Sequence, residues 1–210
     1  MKKYNILLLL SFLLNIHTIM CDNPIKFVCT AALVPGEYES RRQQYIASFE
    51  LLNKYGCDLY VIESIANGPT FLDDYCKNVC YTHSNVPLKS KSYNEATSLS
   101  IGLKQFNFKP GTMIIKLTGK YPLKTDEIIQ LVRNNPDADA FVKPYTDYYT
   151  FTYLFAIRIE YLMDFLENNI NYPQMMYDAK CLEMFFDDYI KKIQGQGAKI
   201  VYLPKMYVDF

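Results

Sequence analysis

A single α/β domain, with a mostly parallel sheet covered by helices on both faces, is predicted by three features of the chain. Short β-rich runs alternate with longer amphipathic segments from residue 25 onward, which is the sequence form of strands joined by crossover helices. The 210 residues, 50% of them apolar, suffice for one substantial core and are few for two. No internal repeat, low-complexity tract or long linker divides the chain.

The first strand is expected over residues 26–33, ended by Pro35-Gly36. A helix follows over 40–55, where Tyr45, Phe49 and Leu52 recur on one face and Gly56 stands at the stop. Residues 58–63 form the second strand, with Leu59, Val61 and Ile62 buried and Glu63 at its carboxyl end. A short helix over 69–77, a strand over 79–82 and a polar loop over 84–92 come next. Helix 93–106, strand 112–117 and helix 125–133 continue the alternation, the last opened by the acidic turn Asp126-Glu127. Strands are expected over 138–142 and over the aromatic, β-branched run 149–157, then helices over 160–168 and 177–192, and a closing strand over 199–203.

Residues 1–21 have their own character. Lys2 and Lys3 precede an apolar run from Ile6 to Leu14 that is too short to span a bilayer comfortably, so a secretory signal peptide or an N-terminal anchor is expected, with the folded domain over 22–210. Export follows from that reading, to a secreted, periplasmic or luminal location with or without a membrane tether. In an oxidising compartment the six cysteines would form one or two disulfides, with pairing not deducible from spacing. Cys76 and Cys80 lack a second pair of ligands, and His83 alone does not complete a zinc site.

Composition and missing motifs narrow the function. The 22 basic and 22 acidic residues cancel, so no overall field favours nucleic acid or an anionic membrane surface. The 19 Tyr and 13 Phe read as core and rim filling. There is no phosphate loop ending in Lys-Ser or Lys-Thr, no Gly-x-Gly-x-x-Gly turn and no Gly-x-Ser-x-Gly elbow, and His17 and His83 are the only histidines available to a nucleophile.

What remains is a series of polar residues at strand ends and helix starts: Arg41, Arg42, Tyr45 and Ser48 after the first strand, Glu63-Ser64 after the second, Asn94-Glu95-Ala96 at a helix head, and the strand end Ile114-Ile115-Lys116-Leu117-Thr118-Gly119-Lys120-Tyr121. Carboxyl ends of strands are where α/β sheets bind ligands. As a series, these residues resemble the glycosyltransferases of the GT-A, nucleotide-diphospho-sugar transferase type. They are similar in particular to bacterial and giant-virus members whose strand ends Lys-Leu-Thr-Gly-Arg-Tyr. The resemblance covers residues 25–145 well and 151–203 in outline.

The resemblance implies a Rossmann-like GT-A sandwich, a nucleotide-sugar donor and a carbohydrate or glycosylated acceptor. It would place Ala32, Arg41, Arg42, Glu63, Asn94, Glu95, Lys116, Thr118, Gly119, Lys120 and Tyr121 around the donor. Metal-dependent members carry Asp-x-Asp where this chain has Lys116-Leu117-Thr118, which cannot ligate Mn or Mg, so a fixed lysine charge against the diphosphate is the expected substitute. Asp73-Asp74 and Asp187-Asp188 read as helix-surface charge, and Asp137-x-Asp139 precedes a strand instead of ending one. Glu183, Asp178 and Asp147 are the candidate general bases for an acceptor hydroxyl. A non-catalytic carbohydrate- or nucleotide-binding module on the same scaffold is the rival reading, and a secreted structural or interaction domain a third.

Overall fold

The computed structural model describes residues 25–177 and 179–209. The expected signal or anchor in residues 1–21, Cys21 and the candidate Asp178 lie outside these residues. No helix among the described residues is long and apolar enough to cross a membrane.

Seven strands form one sheet in the order β3-β2-β1-β4-β8-β5-β9. They are β1 (Ile25–Ala31), β2 (Leu59–Glu63), β3 (Asn78–Tyr81), β4 (Met113–Thr118), β5 (Ala140–Val142), β8 (Leu154–Arg158) and β9 (Ile200–Tyr202), while β6 (Pro144–Thr146) and β7 (Tyr149–Thr150) make a separate hairpin. Within the sheet β8 alone runs antiparallel, paired with β4 on one side and β5 on the other. The mostly parallel α/β class expected from the alternating pattern is therefore the class observed. The helices are α1 (Tyr38–Lys54), α2 (Lys91–Phe106), α3 (Glu127–Asn134), α4 (Ile159–Asn168), α5 (Tyr172–Met176) and α6 (Leu182–Gly195).

Strand alternation sorts the apolar side chains into two cores. On one face Phe27, Cys29, Val61, Ile115 and Leu117 meet Tyr45, Phe49 and Leu52 of α1 and Ile128 and Val132 of α3. On the other, Val28, Ile62, Ile114, Phe155 and Ile157 meet Leu99 and Leu103 of α2, Leu162 and Phe165 of α4 and Phe186 and Ile190 of α6. Lys116 alternates with Ile114 and so points into this second face, in register between Val28 of β1 and Phe155 of β8. Helix ends follow local chemistry. Ser90 caps α2 by accepting from the Tyr93 N–H at 3.1 Å, and Asn107 ends that helix at φ 51°.

Four expectations are corrected. The run 149–157 is two strands: β7 stays in the hairpin, and the chain then enters the large sheet as β8. The helix expected over 177–192 starts only at Leu182, as α6, and a short helix that was not expected, α5, precedes it, opened by Pro173 and an Asn171 cap on Gln174 N at 3.2 Å. The helix expected over 69–77 is a single 3₁₀ turn, Phe71–Asp74, opened by a Thr70–Asp73 capping box. The expected disulfides do not form among the described residues, where Cys29, Cys57, Cys76, Cys80 and Cys181 are free thiols. Cys76 donates to Leu59 O at 3.2 Å and Cys80 to Gln105 Oε1 at 3.0 Å, and burial pushes the Cys76 thiol up to about 11 and that of Cys57 up to about 12.

Helix α2 lies close to the sheet because Gly102 leaves room for Ile62, whose Cδ1 and Cγ1 sit 2.5 Å from where a Cβ would stand. Gly102→Ala should therefore destabilise the fold by about 1–3 kcal/mol through overpacking. Urea denaturation would show it, and adding Ile62→Val, which removes one of the clashing atoms, should recover part of the loss.

Candidate active site at the carboxyl edge of the sheet

The carboxyl ends of β1, β2 and β4 lie side by side, and the antiparallel β8 begins at the same edge. Residues far apart in sequence converge there on one buried ammonium. Lys116 is 0% exposed, and its Nζ donates to Thr118 Oγ1 at 3.0 Å and to Thr152 O at 2.7 Å while pairing with Glu95 Oε1. An ammonium has three protons, so its donor capacity is fully committed inside the protein. Thr30 Oγ1 lies 3.5 Å from the same Glu95 oxygen.

Thr152 extends the network by one residue. Its hydroxyl donates to Glu183 Oε1 at 2.8 Å, which ties the first turn of α6 to the residue whose carbonyl holds Lys116. Glu95, Lys116, Thr118 and Glu183 are thus four predicted residues that the fold brings together, and Thr152 is a member that the sequence reading missed. Its signal was the alternation Tyr149, Thr150, Phe151, Thr152, Tyr153, in which two threonines point inward between outward rings.

Beside this network the β1 and β2 ends form a second polar knot. The Glu63 side chain is fully buried, and its Oε1 accepts from the N–H groups of Leu33 at 3.1 Å, Ile65 at 2.7 Å and Ala66 at 3.1 Å. Its other oxygen is buried without a hydrogen-bond partner. Burial raises the Glu63 carboxyl above its ordinary range, opposed by those three N–H groups and by the charge of Arg41. Tyr45 of α1 accepts from the Ala32 N–H at 2.9 Å and so fixes the loop after β1. Gly119 brings the β4 end against β1. Its N–H donates to Thr30 O at 2.9 Å, and a Cβ there would stand 3.1 Å from that oxygen and 3.3 Å from the Tyr45 ring.

The remaining candidates are placed as follows. Arg41 pairs with Glu37 at 2.7 Å; burial works against its charge, and the Glu37 carboxylate and Tyr45 hydroxyl outweigh it. Lys120 sits 4.7 Å from the centre of the Tyr121 ring, and Tyr121 meets Tyr153 edge to face at 5.5 Å. Three candidates lie apart from the network. Arg42 is held over Phe71 and 3.6 Å from Glu39. The Asn94 amide is committed to the backbone of Val86, accepting from its N–H at 2.9 Å and donating to its carbonyl at 3.0 Å, so it staples the loop before α2. Asp147 is exposed at the β6–β7 turn, where its carbonyl accepts from Lys191.

Asp187, expected as surface charge, is only 4% exposed and accepts from Thr150 Oγ1 at 2.7 Å. It also contacts the Lys191 ammonium at 2.7 Å, an ion contact rather than an aligned hydrogen bond.

The GT-A resemblance raises a divalent metal as a cofactor, and the residues do not fit one. Glu95 Oε1, Thr118 Oγ1 and Thr152 O are hard oxygen donors of the type such ions take, but the Lys116 ammonium already stands among them. No group of three or more His, Cys, Asp or Glu able to hold a metal ion occurs among the described residues.

Comparison with known proteins agrees with the architecture. No family model matches the chain, and no curated protein matches it. Among solved structures, the chain is similar to a glycosyltransferase involved in the glycosylation of the major capsid of PBCV-1, with a TM-score of 0.52 and 10% identity over 86% of this chain and 82% of that one. It is also similar to residues 1–349 of TarS from S. aureus, with a TM-score of 0.52 and 10% identity over 88% of this chain and 59% of that one. At this identity the likeness shows a shared fold: the chain has the mixed α/β fold of these structures.

Two stability measurements test the site. Glu95→Ala leaves a buried ammonium without its carboxylate and should cost about 3–5 kcal/mol, whereas Lys116→Met leaves only a part-exposed carboxylate that water can reach and should cost less. Denaturant titration of both variants checks this order. For Glu63 the sign follows from its raised pKa: the folded state holds the proton more tightly than the unfolded chain, so this group's contribution improves as pH falls from neutrality through the carboxylate range and worsens as pH rises. Stability of the native protein relative to Glu63→Gln should therefore increase on acidification. Glu63→Ala, which orphans three N–H groups, should lose about 2–4 kcal/mol at neutral pH.

Proposed function

We propose that this chain is a glycosyltransferase that moves a sugar from a nucleotide-sugar donor to a hydroxyl of a glycan, lipid or protein, without a metal bridging the diphosphate. The observation that carries the reading is the convergence of Glu95, Lys116, Thr118, Thr152 and Glu183 on the carboxyl edge of the sheet. The PBCV-1 structure of like fold, a glycosyltransferase by its description, supports the same class.

In this reading the donor lies over the ends of β1, β2 and β4. The nucleoside is placed by the loop from Ala32 that Tyr45 and Glu63 hold rigid, and Arg41 and Lys120 are the cations able to reach a diphosphate. Lys116 acts as an internal cation that orients Glu95 and Thr118. Glu183, held by the Thr152 hydroxyl, takes the proton of the acceptor hydroxyl as its oxygen bonds to the anomeric carbon, while the bond from that carbon to the diphosphate oxygen breaks and the nucleoside diphosphate departs.

A non-catalytic binding module on the same scaffold is the second reading, favoured by one observation: the Lys116 ammonium is fully satisfied by the protein itself.

Thermal shift against uridine, guanosine, cytidine and thymidine diphosphates at millimolar concentration, with and without Mn, tests both readings. The expected result is stabilisation by at least one of them, not enhanced by Mn; failure of all four removes the transferase reading. With the matching sugar donor, Glu183→Gln should lower turnover by roughly 100-fold or more, and Lys116→Met by on the order of 100-fold through misplacement of Glu95. Nucleotide binding with no turnover in the native protein selects the binding module.

A further inference from the structure

A row of aromatic rings leads away from the strand-end site. Tyr121 meets Tyr153 at 5.5 Å, Tyr153 lies nearly parallel to Phe151 at 5.5 Å with 27° between the planes, and Phe151 contacts Tyr145 at 5.0 Å and Tyr149 at 6.0 Å. Tyr145, Tyr149, Phe151 and Tyr153 belong to neither core, and Tyr121 packs only on the edge of one. Strand alternation explains the arrangement. Thr150 and Thr152 point inward to Asp187 and Glu183 of α6, so residues 149, 151 and 153 point outward. Outward positions of a strand are polar by default, and Tyr145, at the far end, is 68% exposed. A connected set of outward rings marks a contact surface rather than a folding requirement.

The chemistry of the row selects its occupant. Ring faces carry negative quadrupole density, which attracts the slightly positive C–H face of a pyranose, and phenol hydroxyls at the rims can exchange hydrogen bonds with sugar hydroxyls. A purely apolar partner would take the exposed Tyr145 hydroxyl out of water with nothing to replace its hydration. The only cation against these rings among the described residues is Lys120, over Tyr121 at the inner end, which does not suit a polyanion along the row. The row also runs along the segment that holds the candidate base: Thr152, whose hydroxyl bonds Glu183, stands between Phe151 and Tyr153 in sequence. After burial, the Glu183 carboxylate is the main influence raising the phenols of both Tyr149 and Tyr153.

We propose that this row is an oligosaccharide platform on which pyranose units stack by their C–H faces against Tyr145 and Phe151, leading a terminal hydroxyl toward Glu183. Its role as the acceptor site rests on the transferase reading; its affinity for pyranose chains does not.

The test is saturation-transfer NMR of the full chain with trisaccharides of glucose, galactose, mannose and N-acetylglucosamine at millimolar concentration. At least one should receive saturation chiefly at its ring C–H protons. Tyr145→Ala and Phe151→Leu should each weaken that binding by about tenfold, the loss of one well-placed aromatic contact together with its burial. Tyr148→Ala, which removes a 63% exposed ring of the hairpin turn outside the row, should leave binding unchanged. Thermal shift by nucleoside diphosphates should be the same in all three variants. The proposal is overturned if no trisaccharide binds the native chain or if binding survives both row substitutions. It is overturned equally if sedimentation shows a dimer that the row substitutions dissociate, because the row would then be a contact between copies. If a trisaccharide binds through the row and no nucleoside diphosphate binds, the platform stands and the transferase reading falls.

Discussion

A lysine ammonium with no solvent exposure is held in an otherwise apolar face of the sheet, and the organisation of the carboxyl edge follows from the need to satisfy it. Moving a charge out of water costs several kcal/mol unless a countercharge and hydrogen bonds replace the lost hydration. Lys116 finds these in a carboxylate from α2, a hydroxyl from its own strand and a carbonyl from the approach to β8. The carboxylate and the carbonyl come from segments that only the finished fold brings to β4. The ammonium thus couples the register of β4 against β8 to the seating of α2, and a slip of either would leave a charge uncompensated.

The antiparallel insertion of β8 makes this possible. In a wholly parallel sheet each strand arrives at the carboxyl edge from below and leaves it by a loop. Strand β8 instead starts at that edge, so the residues just before it, Thr152 and Tyr153, sit at the site as the chain descends from the β6–β7 hairpin. The Tyr153 carbonyl accepts from the Thr118 N–H at 2.8 Å, continuing the sheet pairing beyond the strand proper and locking the two edges together. The polar network and the aromatic row are therefore consecutive residues of one extended segment seen from its two faces.

Much of this was legible in the sequence, and the parts that were not share a physical cause. The alternation of β-rich and amphipathic runs led to the right class of sheet, polarity at a strand end and a helix head led to Lys116 and Glu95, and Glu183 came from the family resemblance. Misreadings arose where local pattern is degenerate. The run 149–157 has uniform β character although its two halves belong to different sheets, a choice made by long-range pairing. The helix expected from Tyr177 begins only at Leu182, and α5 ends at Met176. Lys116 looked ligand-facing because polar residues at strand ends usually are, and Asn94 because the family resemblance put it at the donor. Only the fold reveals that Val86 takes up both groups of the Asn94 amide, and that three internal oxygens take up the ammonium. Thr152 had no motif to announce it, since its most consequential group is its backbone carbonyl.

That carbonyl bears on how the site can change over generations. Any residue but a chain-breaking one at position 152 supplies the same main-chain oxygen, so the lysine keeps one anchor whatever side chain is selected there. The contact to Glu183, by contrast, depends on the hydroxyl and disappears with a single codon change. One position therefore holds an element that drift cannot easily erase beside one that it can. The carboxylate end of the site is free to be retuned while the lysine end stays in place.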